Sequence, residues 1–376
     1  MCNLLFTKSS YYSCSFASVG MTNTRSMTRK QKKLRTSDND DLESWSNLNP
    51  DLLLLIMMHM GVFDFIAFSG VCKSWRSVAI SNWNKFMVSK QPMYLSISTH
   101  SYKKDCYLED YRRRKLKTII PHSVGRRCVG ITCGYLIFFG RKARDFWLVN
   151  PFTRKELHFP GFPFPSFPSD VTNHLKRVKC ILVFSPSMFG WVLVISRKYS
   201  RTISFSLAGE QAIWRSISSN FSILDFHFFK GKIYMISQFN HLWELRLHDP
   251  EPALALRIMK NYPWPYLWEL EFVSSGENLY LRHMRGDAFD AIEVDLDEMK
   301  WVNSERTTIG EHAVFSSDFK CDAAIKPDTW THPWTRYEKI NFFKSKRSGK
   351  CLTSKMWYFP HDCLIDNDSG QFPPSL

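Results

Sequence analysis

Cysteine is scarce in this chain: 10 of 376 residues, spread thinly and with no secretory leader in front of them. A disulfide scaffold is therefore excluded, and reduced thiols of the cytosol or nucleus fit better. The common catalytic motifs are missing too. No G-x-S-x-G, H-E-x-x-H, P-loop or G-x-G-x-x-G occurs, so hydrolase, zincin and nucleotide sites of the usual kinds are not written here. Arg347-Ser348-Gly349-Lys350 ends like a phosphate loop but lacks the upstream glycine and the following Ser or Thr. Cys128 and Cys133 have neither C-x-x-C spacing nor a matching His pair, so no structural zinc is expected. His361-Asp362-Cys363 sets nucleophile and base types side by side, where they do not face one another. The chain reads as a non-enzyme without cofactor or metal.

Acid is in short supply as well: 35 acidic residues against 50 basic give a net charge of +15. Such a balance invites a nucleic-acid reading, but no binding motif accompanies it and the charge is scattered. Basic residues gather in 1–37, in 101–127 with Arg112-Arg113-Arg114-Lys115 consecutive, and in 336–355; residues 287–298 run acidic. Scattered basicity of this kind describes solvated loops. The tail 1–44 is rich in Ser and Thr, and Leu4, Leu5 and Phe6 are followed at once by Thr7-Lys8, which is no signal-peptide core. It reads as a disordered basic tail. Arg29-Lys30-Gln31-Lys32-Lys33-Leu34-Arg35 in it resembles a nuclear-import patch, and its composition also suits an organellar transit peptide. Nucleus or cytoplasm is the expected location.

What the chain does have is a dense apolar block, Leu52 to Val71, with only His59 and Asp64 as ionisable groups. A membrane span is disfavoured by Asp64 inside it, by Gly61 and Ser69-Gly70 as punctuation, and by apolar periodicity continuing through Trp75. Three short helices are predicted instead. The first has Asn49 as N-cap, Pro50 at the first position and Asp51 in the first turn. Asp64 is expected to cap the second, Phe65–Phe68, and the third runs from about Val71 to Ser81. Helix one is apolar most of the way round, through Leu52, Leu53, Leu54, Leu55, Ile56, Met57 and Met58, so it needs cover on more than one face. A core of this size is too small to be self-sufficient, and part of its surface is expected to belong to a partner.

Leu48, Asp51-Leu52-Leu53, Ile56, Asp64 and Val71-Cys72-Lys73-Ser74-Trp75-Arg76-Ser77 make the block resemble the F-box. The proline that usually follows the first leucine directly stands at Pro50, and Met57-Met58 replace a usually polar pair. The resemblance implies binding to the Skp-type adaptor of cullin–RING ubiquitin ligases. It implies contacts from Leu48, Pro50, Leu52, Leu53, Ile56, Phe63, Val71, Cys72 and Trp75.

From residue 89 onward the helical period gives way to β-branched and aromatic runs between Gly, Pro and Asn turns. Strands are predicted within 134–139, 146–151, 181–184, 191–195, 202–205, 231–235, 242–247, 276–281 and 291–295. Glycine-led strands start at 134, 231 and 276, so a unit near 45–48 residues fits twice into the first gap and once into the second. Trp214 and Trp301, each after a strand and a tight turn, repeat at about two such units. About six blades of a β-propeller are expected, with a pair of β-sandwiches as the alternative architecture. The pieces Val149 to Leu157, Phe228 to Tyr234, Phe289 to Val302 with Glu311 to Phe315, and Trp357 to Cys363 resemble the KIB-type propeller domain of plant F-box proteins.

Taken together, the expected organisation is a tail 1–44, an all-α F-box module 45–88, and an all-β propeller-like domain 89–376. The resemblance implies a non-catalytic substrate receptor of an SCF-type ubiquitin ligase, with adaptor, cullin and RING partners in front and an unknown target protein behind. The alternatives are a basic nucleic-acid-associated protein and a propeller enzyme with no visible motif. Arg141, Lys142 and Arg144 form an exposed basic turn suited to a target, as does the run Arg112-Arg113-Arg114-Lys115, through steering of an acidic partner. No membrane is expected among the partners.

Overall fold

The computed structural model describes residues 45–98, 105–140, 142–163, 178–209, 213–247, 251–261, 270–275, 277–283, 291–302, 308–317, 323–326, 337–340, 343–345 and 352–360. The tail 1–44, Arg141 and the His361-Asp362-Cys363 run lie outside the described residues. The chain divides into a leading segment, 1–48, and one compact unit, 49–376. Among the described residues no helix is long and apolar enough to cross a membrane.

A 3-10 turn, Trp45–Asn47, precedes four helices: α1 (Pro50–His59), α2 (Val62–Ser69), α3 (Lys73–Ser81) and α4 (Trp83–Val88). The N-terminus of α1 forms as its sequence predicts, with the Asn49 side chain accepting the amide of Asp51 at 2.8 Å. The second helix differs from expectation. It begins at Val62, because Gly61 is its N-cap and Asp64, the third helical residue, reaches back to accept the Gly61 amide at 3.3 Å. The fourth helix was not expected. It completes the module's interior, where Phe86 stacks on Phe65 at 4.3 Å and Trp83 meets the same ring edge-on at 5.1 Å. Leu53, Met57, Val62, Phe68 and Ala79 fill the rest of that interior.

Twenty-three strands follow in the described residues: β1 (Met93–Ser98), β2 (Asp105–Glu109), β3 (Lys115–Ile119), β4 (Arg127–Thr132), β5 (Tyr135–Gly140), β6 (Asp145–Val149), β7 (Glu156–Phe159), β8 (Val178–Ser185), β9 (Gly190–Arg197), β10 (Ser200–Leu207), β11 (Arg215–Phe229), β12 (Lys232–Ser237), β13 (Leu242–Arg246), β14 (Ala253–Arg257), β15 (Leu270–Ser274), β16 (Leu279–His283), β17 (Ala291–Asp295), β18 (Lys300–Val302), β19 (Ala313–Ser317), β20 (Ala323–Ile325), β21 (Tyr337–Ile340), β22 (Phe343–Ser345) and β23 (Leu352–Tyr358). All nine predicted strands are among them.

They form four sheets in the described residues: β22-β23-β1-β2-β3, β4-β5-β6-β7, β14 through β8, and β18-β17-β16-β15-β20-β19-β21. The third is two four-stranded groups joined by one bent strand. The first part of β11 pairs with β10 through Ser218↔Thr202, while its second part pairs with β12 through Phe226↔Met235, with the register breaking between. The strands β23, β4, β8, β11 and β15 neighbour one another in turn, and β20 and β19 complete the cycle from β15 back to β23, which partitions the sheets into six blades. The ring is shut by pairing the last strand with the first: Met93↔Tyr358 through Ser98↔Thr353.

The glycine spacing has a physical basis in these blades. Gly134 and Gly231 end two-residue turns from an innermost strand to the second, after Cys133 and Lys230, and all four residues have positive φ. A type I′ hairpin needs that conformation at both positions, and glycine adopts it without a steric cost. Side chains tie successive blades at the same interval. Thr132 Oγ1 accepts the Leu182 amide at 3.0 Å, Asp225 accepts the Phe272 amide at 2.8 Å, and His227 Nε2 bonds Ser274 Oγ at 2.9 Å. These pairs stand 50, 47 and 47 residues apart. The two tryptophans also sit alike, each at the outermost strand of a blade and bonded to the blade before: Trp214 Nε1 donates to the Pro160 carbonyl at 2.7 Å, and the Trp301 amide donates to Asn261 Oδ1 at 2.8 Å.

Candidate functional site

The helical module has a filled interior and a second apolar surface that no described residue covers. Leu52, Leu55 and Ile56, spaced i, i+3, i+4 on one side of α1, are 50%, 59% and 38% exposed. Val71 is 56% exposed at the start of the α2–α3 link, and Ile80 on α3 is 69% exposed. Leu53, on the other side of α1, is fully buried. The backbone explains the split. Arg76 Nε donates to the Ser69 carbonyl at 3.1 Å and holds α3 against the end of α2, so Trp75 turns inward onto Phe68 with ring centroids 4.7 Å apart.

The sequence-predicted adaptor residues therefore fall into three places. Pro50, Leu52, Ile56 and Val71 are exposed, and Leu48 and Cys72 are half-buried. Leu53 and Trp75 pack the module: the first is wholly interior and the second half-buried on Phe68, so each holds the face in shape from behind. Phe63 lies elsewhere, half-buried with its ring 5.8 Å from the Arg114 guanidinium carbon, on the side of α2 that meets the β2–β3 turn. Leu55, on the same stripe, and Ile80 share this exposed surface without being among the predicted contacts. An i, i+3, i+4 reading of Leu52, Leu55 and Ile56 was available for the first, whereas nothing in α3 alone marks Ile80 as exposed.

Arg114 was read as part of a free basic run, and the structure corrects that. Its Nη1 donates to Asp64 at 2.7 Å and its Nε to Asp110 at 2.7 Å, and hydrogen bonding to Asp64 raises its pKa further. Lys90, just past α4, donates from Nζ to the Met58 carbonyl at 2.7 Å and lies 4.3 Å from the centroid of the Phe86 ring. Burial pushes its pKa down to about 8.

Hairpin connections in a blade alternate between the two ends of its strands. The β2–β3 turn that meets α2 joins a third strand to a fourth, whereas the β5–β6, β9–β10 and β12–β13 turns join second strands to third. The latter point to the opposite end, and they carry the exposed Lys142, Arg144, Tyr199 and Phe239. Beside Lys142 and Arg144 stands a layered polar cluster. His122 and His158 both stack on the Trp147 ring, with centroids 3.6 and 4.2 Å away, and Asp145 accepts from Arg126 and Trp147 at 2.6 and 3.1 Å. Burial works against the Asp145 charge, but hydrogen bonds from Arg126 outweigh it and hold the carboxyl below its usual range. Among the described residues no group of three or more His, Cys, Asp or Glu could hold a metal ion.

Comparison with known proteins matches both parts of the chain. An F-box domain model covers residues 45–87 and a KIB1-4 beta-propeller model covers 104–330. An F-box/kelch-repeat protein of Arabidopsis thaliana is 24% identical over 300 residues, spanning 74% of this chain and 78% of its own. Solved structures are only remotely similar: virginiamycin B lyase from Staphylococcus aureus at 8% identity with a TM-score of 0.33, covering 70% of this chain and 79% of that one, and the fission yeast SREBP-SCAP binding domains at 11% and 0.33, covering 56% and 59%. The blade-closing strands β1 and β23 lie outside the matched span 104–330, so the ring is larger than the matched segment. On these matches the chain belongs to the KIB1-4 beta-propeller family and carries an F-box domain ahead of the propeller.

Proposed function

We infer that the protein is the substrate receptor of an SCF-type ubiquitin ligase, gripping a Skp-type adaptor with the helical module and a target protein with the propeller. The carrying observation is the exposed Leu52, Leu55, Ile56 and Val71 on a module whose own interior is already filled. An F-box in front of a propeller supplies the functional class, and the uncovered face supplies the place of contact. Ubiquitin chemistry then belongs to other subunits, and this chain contributes proximity. Nucleus or cytoplasm is the compartment this reading requires.

Exposed apolar anchors at an interface centre typically cost at least ~2 kcal/mol when lost, which is about thirtyfold in affinity. Ile56→Glu with Val71→Glu should therefore reduce adaptor co-purification by about thirtyfold or more on the same grounds, with an unchanged melt. Undiminished capture by the folded variant removes the F-box assignment of this face. These positions suit the test better than Trp75, whose loss would also unsettle Phe68.

For the target, the reading favours the propeller end opposite the β2–β3 turn, where Lys142 and Arg144 are exposed and Arg144 takes a φ of 51° in a tight turn. Charges there steer an acidic partner and raise association rate more than final affinity. Replacing Lys142 and Arg144 with Ser should slow capture of target proteins from extract at low salt, the difference shrinking as the screening length falls to ~8 Å at physiological ionic strength. Equal capture rates at low salt would discard this turn.

A further inference from the structure

Between the helical module and the sheets stands a built ion triad that neither the adaptor face nor the opposite loop end uses. Arg114 leaves the β2–β3 turn and its Nη1 donates to both carboxylate oxygens of Asp64 in α2, at 2.7 and 2.8 Å. From its own side the arginine is held before it arrives. Its amide and Nε donate to Asp110 at 2.9 and 2.7 Å, and Asp110 is buried. The Asp110 amide in turn donates to the Arg114 carbonyl at 3.1 Å, and Arg113 takes a φ of 61°, so the turn is closed on itself. On the helix side Gly61 leaves the room required, because a Cβ there would stand 2.4 Å from Arg114 Nη2. The Phe63 ring lies against the same guanidinium. A planar guanidinium held through Nε by Asp110 and reaching the Asp64 carboxylate through Nη1 specifies an angle as well as an attraction.

The geometry points to Arg114 as a positioning residue: it fixes the orientation of the helical module on the propeller, and so the placement of a captured target relative to the adaptor. The second clause rests on the receptor reading; the orientation does not. Both side chains keep much of their surface in water, 35% for Arg114 and 43% for Asp64, so the pair adds little to stability and its effect belongs in geometry.

The test uses the full chain with two genetically encoded spin labels, at Lys73 on α3 and Lys232 on β12, both exposed. The natural chain should give one narrow distance distribution by pulsed electron resonance. Arg114→Ala should lose that single peak and give a broad distribution, its melting temperature falling because buried Asp110 loses its cation, whereas Asp64→Asn should move the melting temperature by no more than about 2 °C. Asp64→Asn should reproduce the loss from the helix side, and Arg114→Lys, which keeps the charge without the fork, should fall between. If Arg114→Ala fails to fold, Asp64→Asn decides alone. Folded Arg114→Ala and Asp64→Asn chains that both keep the natural distribution overturn the proposal. Adaptor capture is measured on the same samples: its absence from the natural chain would sink the receptor reading and leave the orientation result standing.

Discussion

Asp225→Ala should cost the fold about 3–5 kcal/mol, the typical price of removing one partner from a buried ion pair. Asp225 lies on β11 and is 1% exposed. Its carboxylate accepts from Lys179 Nζ on β8 at 2.8 and 2.9 Å and from the Phe272 amide on β15 at 2.8 Å. One side chain thus ties three consecutive innermost strands. Truncation takes away the carboxylate facing a nearly buried ammonium, and it also removes the acceptor of a buried backbone amide, a loss of ~1–3 kcal/mol by itself. The melting temperature should fall by on the order of 10 °C. Adding Lys179→Met to the variant should recover part of that drop, because the buried charge goes with it. If single and double variants melt together, the charge is not the cause and the lost amide acceptor carries the whole effect.

The same carboxylate shows what a sequence can and cannot make legible. Nine strands were readable from their β-branched or aromatic runs, whereas β11, β15, β19 and β23 carry such runs and were not predicted. Gly134 and Gly231 were readable because hairpin turns with positive φ are a local demand that only certain residues meet, while Gly276 lies outside the described residues. The bend in β11 was not readable. Its first half, Arg215-Ser216-Ile217-Ser218-Ser219, is an outermost strand, and its second half is an innermost one; no glycine or proline separates them, only Asn220 and a register break. Asp225 looks like one acid among β-branched neighbours until the strands 46 residues before and 47 after are set beside it.

Orientation was the harder part of the candidate site. Helix α1 is apolar most of the way round, so period alone could not say that Leu53 points inward while Leu52, Leu55 and Ile56 point out. That choice is made by α3, which packs against α1. The run Arg112-Arg113-Arg114-Lys115 carried the opposite trap. Four consecutive cations read as a solvated loop, yet the third is committed to an aspartate 50 residues earlier. Charge runs tell where charge is, and tertiary partners decide which member is free for a ligand. Among the described residues Lys142 and Arg144 are exposed and make no such ion pair, which is why this turn and not 112–115 stands as the target candidate.

Two truncations ten residues apart should have opposite outcomes. A chain lacking 1–88 loses the helical module but keeps β1, and with it the pairing Met93↔Tyr358 through Ser98↔Thr353 that shuts the ring. A chain lacking 1–98 loses that strand. Met93, Leu95 and Ile97 are all buried, and burying each such side chain is worth ~1.5–3 kcal/mol, so their combined loss rivals the ~5–15 kcal/mol that holds a whole domain together. Removal also strips cover from β23, where Trp357 packs on Tyr94 at 4.2 Å and on Phe315 at 4.9 Å and donates to the Ser316 carbonyl at 3.2 Å. It further leaves β2 and β23 as unpaired edges, which invite association between chains. The shorter deletion should therefore keep a cooperative β-type melt and elute as a monomer. The longer one should lose the cooperative transition and elute as aggregate. Should residues 99–376 melt as sharply as 89–376, the terminal strand pairing is not what holds the ring closed, and the inter-blade bonds of Thr132, Asp225 and His227 must suffice without it.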